Sequence, residues 1–599
     1  MKKYILGLNF LTNSSCAIML DGEIVYVGQE ERFKRFKNIS GFPHKALKYG
    51  FNKLKITGTD IQKVGFSTIS FDPLLIKSSV MQNYKIRDFY DYYGDRYWRK
   101  IFSGQDCTDY LRWLKDDKQF NSHEVDFDYS FITEDVLSDT NQRIALFRKY
   151  LKKHLYDHFG IAENKVAFLD HHTCHAYYGY FGSPLRNNDC AVVTLDGIGD
   201  GRNQTVFSVK NNQLDLVASS NENDLGRVYK MATLINGMRP EEHEFKVMGM
   251  APYAKESYAE EAFLPLKELS KVENMKILHN KRPKDLFAYL RDAWLDKRFD
   301  NICGAAQLFV ERIATELFKD INATLNVRKF LISGGISMNI KMNKVLSELN
   351  CVDEIYVCGS GGDESLCIGA CYFLNADNEN NQPLSHLYLG YDIKDDLAND
   401  SWKTLCEDYE IQYNVSEEQV AALIANGNII ARVHGRSEFG ARALGNRSIL
   451  ADPRNIDVIK QINDAIKKRD FWMPFALSVL EEDHEYCVEN PKKLKAPFMS
   501  IGFQSNGTNY NKFRAGTHPY DQTVRPQFVS KQYSESYHKL ISSFKRITGV
   551  PALLNTSLNL HGEPIANNLE DVIRTFSNSE ISHLYLNDVL IVKQTSLYR

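Results

Sequence analysis

Two stretches of this chain open in the same way, and that repetition constrains the fold more than any other feature. Ala17-Ile18-Met19-Leu20 and Glu23-Ile24-Val25-Tyr26-Val27 flank Asp21-Gly22, so residues 4–28 read as strand, tight turn, strand. About 185 residues later the plan returns, with Cys190 to Leu195, a glycine turn, Gln204 to Val209, Asn211-Asn212, and Leu214 to Ala218. Asp-Gly hairpins are common, so the repetition gains weight only from what lies between and after its copies.

A duplicated β-opening followed by helices predicts an α/β chain of the two-lobed actin and hexokinase (ASKHA) type, which holds nucleotide phosphates between its lobes. At 599 residues the chain is too long for one core, so a further domain is expected. With 43% hydrophobic and 25% charged residues it is an ordinary globular composition, and a net charge of -3 argues against bulk nucleic-acid binding by a basic surface. No apolar run reaches the length of a membrane span, and the first apolar run is broken by Asn9, Thr12 and Asn13, which reads as a strand rather than a secretory signal. Eleven cysteines without a CxxC pair suit reduced thiols and a cytoplasmic location.

Asp170-His171-His172-Thr173-Cys174-His175-Ala176 follows an apolar run. A helix beginning after Asp170 puts His171 and His175 one turn apart on one face, as a divalent metal requires. HxxxH alone arises easily by chance, and histidine caps or satisfied core histidines would explain it. Asp196, in Leu195-Asp196-Gly197, and Asp363, in Gly361-Gly362-Asp363-Glu364, change the odds, because both stand where a strand meets a Gly-rich turn. Ser333-Gly334-Gly335-Ile336-Ser337-Met338-Asn339 is a further strand end, followed by a helix carrying Lys341 and Asn343, and suits a nucleotide.

Residues 80–130 read as an insert in which tyrosines alternate with Arg87, Arg96 and Arg99; it either packs on a neighbouring domain or stacks on bases or sugars. The polar, Pro-bearing stretch 376–390 places a boundary near 385, giving domains 1–385 and 386–599. The second carries Arg436, Arg442 and Arg447 among glycines and serines, then Lys467-Lys468-Arg469 on a helix, Arg525, and the strand end Asn555-Thr556-Ser557. So many cations with little acid suggest a multiply phosphorylated small molecule.

Over nearly its full length the chain resembles the NodU/CmcH family of O-carbamoyltransferases. The resemblance rests on Glu30-Glu31-Arg32-Phe33-Lys34-Arg35, His171 to Ala176, Leu195-Asp196-Gly197, Lys246-Val247-Met248-Gly249-Met250-Ala251-Pro252-Tyr253, Ser333-Gly334-Gly335, Gly362-Asp363-Glu364, Phe439 to Gly445, Met473-Pro474-Phe475-Ala476 and Asn555 to Asn559. It implies an N-terminal actin-like domain and a C-terminal domain similar to threonylcarbamoyl-AMP synthase (YrdC-like). The C-terminal domain would condense carbamoyl phosphate with ATP, accompanied by Mg2+, into carbamoyl-AMP and pyrophosphate; the N-terminal domain would use a metal, commonly iron(II), to pass the carbamoyl group to an acceptor hydroxyl. Carried onto this chain, His171, His175, Asp363 and Asp196 are the metal residues, and Gly334, Gly335 and Asn339 cradle nucleotide, as do Arg525 and Ser557. Arg442, Lys467, Arg525, Asn555 and Ser557 hold carbamoyl phosphate, with Asp196, Lys467 and Arg442 in catalytic roles. Because carbamoyl-AMP is labile in water, an internal passage between the sites is expected.

Two positions depart from the family. Thr12-Asn13 stands where many members carry His-Asp, so deprotonation of the acceptor falls to Asp196, to the metal-bound acceptor or to another histidine such as His243. Met473 stands where some members carry arginine, which leaves the phosphate pocket short of one cation. The expected acceptor is a sugar or small metabolite; a hydroxymethylated pyrimidine, free or in DNA, and threonylcarbamoylation of tRNA are the alternatives. A homodimer is the expected assembly.

Overall fold

The computed structural model describes residues 2–77, 84–116, 126–375, 380–398 and 400–593; residues 80–83 and 117–125 of the insert and 376–379 of the polar break lie outside the described residues. The chain divides into two compact units, Met1–Glu31 with Asn38–Leu384, and Arg32–Lys37 with Ser385–Arg599.

In the first unit, β1 (Tyr4–Asn9), β2 (Ser15–Leu20), β3 (Glu23–Gln29), β4 (Ile61–Phe66) and β5 (Val166–Phe168) form a sheet in the order β3-β2-β1-β4-β5. Strands β1 to β3 are antiparallel neighbours, and β4 and β5 continue parallel to β1. Asp21 and Gly22 both take positive φ, 49° and 94°, as a two-residue hairpin turn requires. A second sheet contains β6 (Cys190–Gly199), β7 (Arg202–Lys210) and β8 (Gln213–Ser220). A separate hairpin of β9 (Ser270–Glu273) and β10 (Lys276–His279) intervenes, and β11 (Lys329–Ser333) and β12 (Glu354–Val357) complete the sheet in the order β8-β7-β6-β11-β12. Its pairings repeat those of the first, antiparallel through β6, β7 and β8 and parallel from β6 to β11 to β12. What repeats is therefore a whole sheet topology, not only a hairpin.

Four helices of this unit frame its clustered histidines and acids: α1 (His171–Phe181), α2 (Phe299–Leu325), α3 (Ile340–Glu348) and α4 (Leu366–Leu374). Leu366 to Tyr372 are all buried, which makes α4 a core helix, apolar on every side. It lies so close to α1 that a Cβ on Gly369 would run into the Cys174 carbonyl oxygen, and so close to β1 that one on Gly7 would meet the Cys367 carbonyl. Only glycine allows backbones this near, and the approach brings the start of α4 to the histidine face of α1.

The insert packs inward. Tyr84, Phe89 and Tyr110 are buried, and Tyr92 lies among Tyr93, Tyr97, Trp98 and Tyr110 with ring centroids 5.1–6.2 Å away. Arg96 stacks over Trp113 at 4.2 Å, and Arg99 pairs with Asp95 at 2.5 Å and Asp285 at 3.6 Å. These arginines are engaged by the chain's own aromatics and acids.

The second unit is built on one eight-stranded sheet. Its members are β13 (Tyr409–Gln412), β14 (Ile430–Val433), β15 (Arg447–Ala451), β16 (Ala476–Leu480), β19 (Pro526–Val529), β20 (Ala552–Ser557), β21 (His583–Leu586) and β22 (Val589–Lys593), while β17 (Phe503–Gln504) and β18 (Thr523–Val524) pair apart from it. The order is β13-β22-β21-β14-β15-β20-β16-β19. The pairings make β13, β14, β20 and β21 run one way and β15, β16, β19 and β22 the other. One end of the sheet therefore collects the end of β20 at Ser557, the start of β15 at Arg447, and the starts of β16 and β19, just after Met473-Pro474 and Arg525.

All eleven cysteines are free thiols. Among the described residues no helix is long and apolar enough to cross a membrane.

Candidate metal centre and anion pocket

Helix α1 begins where the sequence predicts. Asp170 caps it, accepting from Thr173 N at 2.8 Å, and the His171 amide donates to Asp200 at 2.9 Å. His171 and His175 then project one turn apart, both fully buried. Asp196 lies in β6 at an irregularity, where the register with β7 shifts between Leu195 and Gly199, rather than at a plain strand end. A bulge of this kind re-aims a side chain, and Asp196 points to the histidines. Asp363 opens the short 3-10 turn that leads into α4.

Each of His171, His175, Asp196 and Asp363 offers a ligand atom, and the four atoms lie within 4.8 Å of one another. His171 Nε2 is 3.3 Å from Asp196 Oδ2 and 3.7 Å from Asp363 Oδ1, and His175 Nε2 is 3.7 Å from the same Asp363 oxygen. Among the described residues neither imidazole Nε2 has a hydrogen-bond partner, although both are buried. Buried polar atoms are normally satisfied, so two orphaned nitrogens converging with two carboxylates fit a divalent metal, for which imidazole and carboxylate are common donors. Ser333 Oγ stands 3.5 Å from His175 Nδ1, in position to orient the ring.

Burial pushes the His171 pKa down, but contact with Asp196 and the charges of Asp363 and Asp196 outweigh it and lift it to about 9. Burial likewise opposes ionisation of Asp196, yet His171, with His175 and His172 beyond, holds its carboxyl far below the usual range. His172 faces away, 2.7 Å from Thr194 Oγ1, and burial with the neighbouring His171 lowers it to about 3.

The expected nucleotide cradle adjoins this cluster, and the Gly335 amide and the Asn339 side chain are engaged within the chain. Gly334 takes φ 92°, and the Gly335 amide donates to Asp196 Oδ1 at 2.9 Å. Asn339 caps α3 through Met342 N and exchanges hydrogen bonds with Gln307 of α2. These residues shape the turn and place Asp196. Ser15 Oγ donates to the Glu364 carbonyl at 2.7 Å, which ties the strand after Thr12-Asn13 to the turn holding Asp363. His243 Nδ1 accepts from Arg239 N at 3.2 Å.

In the second unit the predicted cations separate into two kinds. Arg447 is fully buried and donates to the carbonyls of His434, Gly435, Asn446, Tyr391 and Asn567, and Arg436 donates to those of Gly390 and Leu389. Those two hold loops together. Lys467, Arg469 and Arg525 are different. Lys467 Nζ reaches Ser557 Oγ at 3.1 Å and Asn559 Oδ1 at 2.7 Å, and Arg469 donates to Thr556 Oγ1 at 3.0 Å. Burial, Arg469 and Lys37 push the Lys467 amine well below its usual value; burial and Arg442 lower Arg469 to about 10, and burial, Arg442 and Arg469 depress Arg525. Among the described residues no carboxylate counters these shifts. Asn555 donates to the Ala443 carbonyl and Ser478, leaving its buried Oδ1 without a partner.

The expected helix under Lys467-Lys468-Arg469 ends early. Asn463–Lys467 is a π turn and Lys468 is left-handed at φ 46°, so Arg469 lies beyond it. In the sequence Arg469 enters only as one of the run Lys467-Lys468-Arg469, with no role of its own, and Lys37 does not enter: the turn that aims the first, and the return of segment 32–37 to the second unit, have no composition signal.

The carbamoyltransferase N-terminus family model matches residues 4–372, and the carbamoyltransferase C-terminus model matches 421–593. The chain belongs to the carbamoyltransferase family, in its NodU/CmcH branch, and is an enzyme of carbamoyl transfer. It is similar to nodulation protein NolNO of Sinorhizobium fredii, 26% identical over 98% of this chain and 80% of that one. Nodulation protein NolO of Bradyrhizobium diazoefficiens is 30% identical over 71% and 79%, respectively. An uncharacterized protein of Methanocaldococcus jannaschii is 30% identical over 84% of this chain and 87% of its own length. Among solved structures, component A of the Acidaminococcus fermentans (R)-2-hydroxyglutaryl-CoA dehydratase is 13% identical, covering 62% of this chain and 96% of that one at a TM-score of 0.31.

Proposed function

We propose that the chain is an ATP-dependent O-carbamoyltransferase with one half-reaction in each unit, a YrdC-like second unit forming carbamoyl-AMP and an actin-like first unit transferring the carbamoyl group. The observation that carries this reading is the group formed by buried Lys467 and half-buried Arg469 and Arg525 beside the end of β20, whose lowered pKa values no carboxylate among the described residues offsets. Carbamoyl phosphate and ATP are both polyanions, and only a pocket of this charge can hold them together. For atoms to balance, carbamoyl phosphate loses its phosphoryl group to water as orthophosphate. The freed carbamate oxygen attacks the α-phosphorus of ATP, and pyrophosphate leaves. Lys467, Arg442 and Arg525 neutralise the phosphates, Ser557 orients Lys467, and the unpartnered Asn555 Oδ1 is suited to accept from the carbamoyl amine.

In the first unit His171, His175, Asp196 and Asp363 would hold a divalent metal, iron(II) by resemblance. Bound there, such an ion supplies Lewis-acid neutralisation of charge at the carbamoyl group or acceptor oxygen. Asp196, beside both histidines, is the carboxylate placed to take the acceptor's proton, a role that Thr12-Asn13 cannot fill. The acceptor oxygen bonds to the carbamoyl carbon, and AMP leaves with its bridging oxygen. A sugar or small metabolite is the proposed acceptor. The nucleic-acid alternative rests on Arg96 and Arg99, which make internal contacts.

Mass spectrometry of products from ATP, carbamoyl phosphate, iron(II) and a panel of sugars, nucleosides and hydroxymethylated DNA tests this. The expected result is one added carbamoyl group on a sugar or small metabolite, lost in His175→Ala. Carbamoylation confined to the DNA would overturn the acceptor assignment, and release of neither AMP nor pyrophosphate would overturn the whole scheme.

A further inference from the structure

The hairpin turn between β6 and β7 does more than reverse the chain. It is Asp200-Gly201, with φ 47° and 77°, and Gly199 pairs across it with Arg202. Asparagine serves such a turn as well as aspartate does, so the turn alone does not account for a carboxylate at position 200. Both of its oxygens are in use. Oδ1 accepts from Thr68 Oγ1 at 2.8 Å, from Ile69 N at 3.0 Å, and from Ser70 N and Oγ at 2.7 and 3.1 Å. Oδ2 accepts from Ile69 N and from the His171 amide, each at 2.9 Å.

One carboxylate thereby joins three parts of the first unit. Thr68 to Ser70 follow β4 of the first sheet, His171 opens α1, and Asp200 belongs to a hairpin of the second sheet. Gly199, the residue before it, lies so close to the His171 ring that a Cβ there would overlap ring atoms. Residues 199 and 200 therefore set both the ring and the backbone amide of His171. Asp200 is not one of the four clustered ligand residues, and its bearing on them runs through that histidine. Partners of this kind fix the orientation of a ligating imidazole, and their loss costs metal affinity.

We propose that Asp200 is a positioning residue for the metal centre, locking His171 to the loop after β4 so that the first sheet helps to shape a centre whose two carboxylates come from the second. The proposal rests on the reading of His171, His175, Asp196 and Asp363 as metal ligands. Its test uses the full chain, Co2+ as the probe, and two variants. Asp200→Asn keeps the turn and one accepting oxygen but replaces the other with a donor; Thr68→Val removes one of the donors that Asp200 gathers. Asp200→Asn should bind Co2+ about tenfold or more weakly in calorimetry and shift the visible absorption of the bound ion. Thr68→Val should weaken binding by about two- to fivefold. The double variant should be no weaker than Asp200→Asn alone, because both changes act through one carboxylate. In metal-free protein with isotope-labelled histidine, the His171 ring signals, identified by their loss in His171→Gln, should move in both variants. Unmoved His171 signals, or unchanged Co2+ affinity and absorption, in Asp200→Asn would overturn the proposal, as would fully additive losses in the double variant. If Asp200→Asn does not fold, Thr68→Val decides by the same readouts. Failure of the unaltered protein to bind Co2+ counts against the metal reading, while the His171 signals still decide whether Asp200 positions the ring.

Discussion

Residues of the same type have opposite duties here, and their partners tell them apart. Arg447 gives its donors to five backbone carbonyls. Arg447→Met should therefore destabilise the second unit by about 3 kcal/mol in denaturant titration, because buried acceptors lose their donors. Among the described residues Arg525 has no carboxylate to strand, so Arg525→Met should leave that midpoint unchanged or raised while tripolyphosphate affinity falls. The histidines carry a pH signature. His171 is raised to about 9 by its carboxylate neighbours, so without metal its ion pairs stabilise the fold fully below its unfolded pKa of about 6.5, and that contribution is lost as pH rises through 9. Metal binding needs the neutral ring and should run the other way. Its affinity, followed by calorimetry, should climb about tenfold per pH unit towards 9 and then level. His171 and His175 are legible in the sequence because helical spacing puts i and i+4 on one face. Arg469 is not, because Lys467-Lys468-Arg469 reads as a continuous helix until the left-handed Lys468 breaks it.

At the scale of elements, the metal centre exists because α1 and α4 touch through backbone. Gly369 permits this, and a methyl group there would meet the Cys174 carbonyl. Gly369→Ala should cost about 1–3 kcal/mol by overpacking and should weaken metal binding along with stability, whereas Asp363→Asn should weaken metal binding and, without metal, lower the denaturation midpoint only at pH values where His171 is charged. The β6 irregularity at Asp196 is only partly readable. The sequence shows a carboxylate beside glycines, but the register shift that aims it depends on pairing with β7, which no local pattern specifies. The aromatic insert is open between packing and ligand stacking in the sequence, since alternating tyrosines and arginines serve either; the partners that decide it are Trp113, on another helix of the insert, and Asp285, distant along the chain.

For the molecule as a whole, the repeated hairpins are the visible part of two sheets with one strand order. The parallel strands that complete each copy are short, three to six residues, and their pairing is set by crossovers the sequence does not display. The metal cluster belongs to one compact unit and the anion pocket to the other, so the half-reactions should separate by mutation. His175→Ala should keep adenylate formation and lose transfer; Lys467→Met should lose both. The most direct test is exchange of labelled pyrophosphate into ATP. The account predicts exchange that requires carbamoyl phosphate, persists in His175→Ala and disappears in Lys467→Met. Exchange that is absent, or that proceeds without carbamoyl phosphate, would contradict the carbamoyl-AMP chemistry on which the account rests.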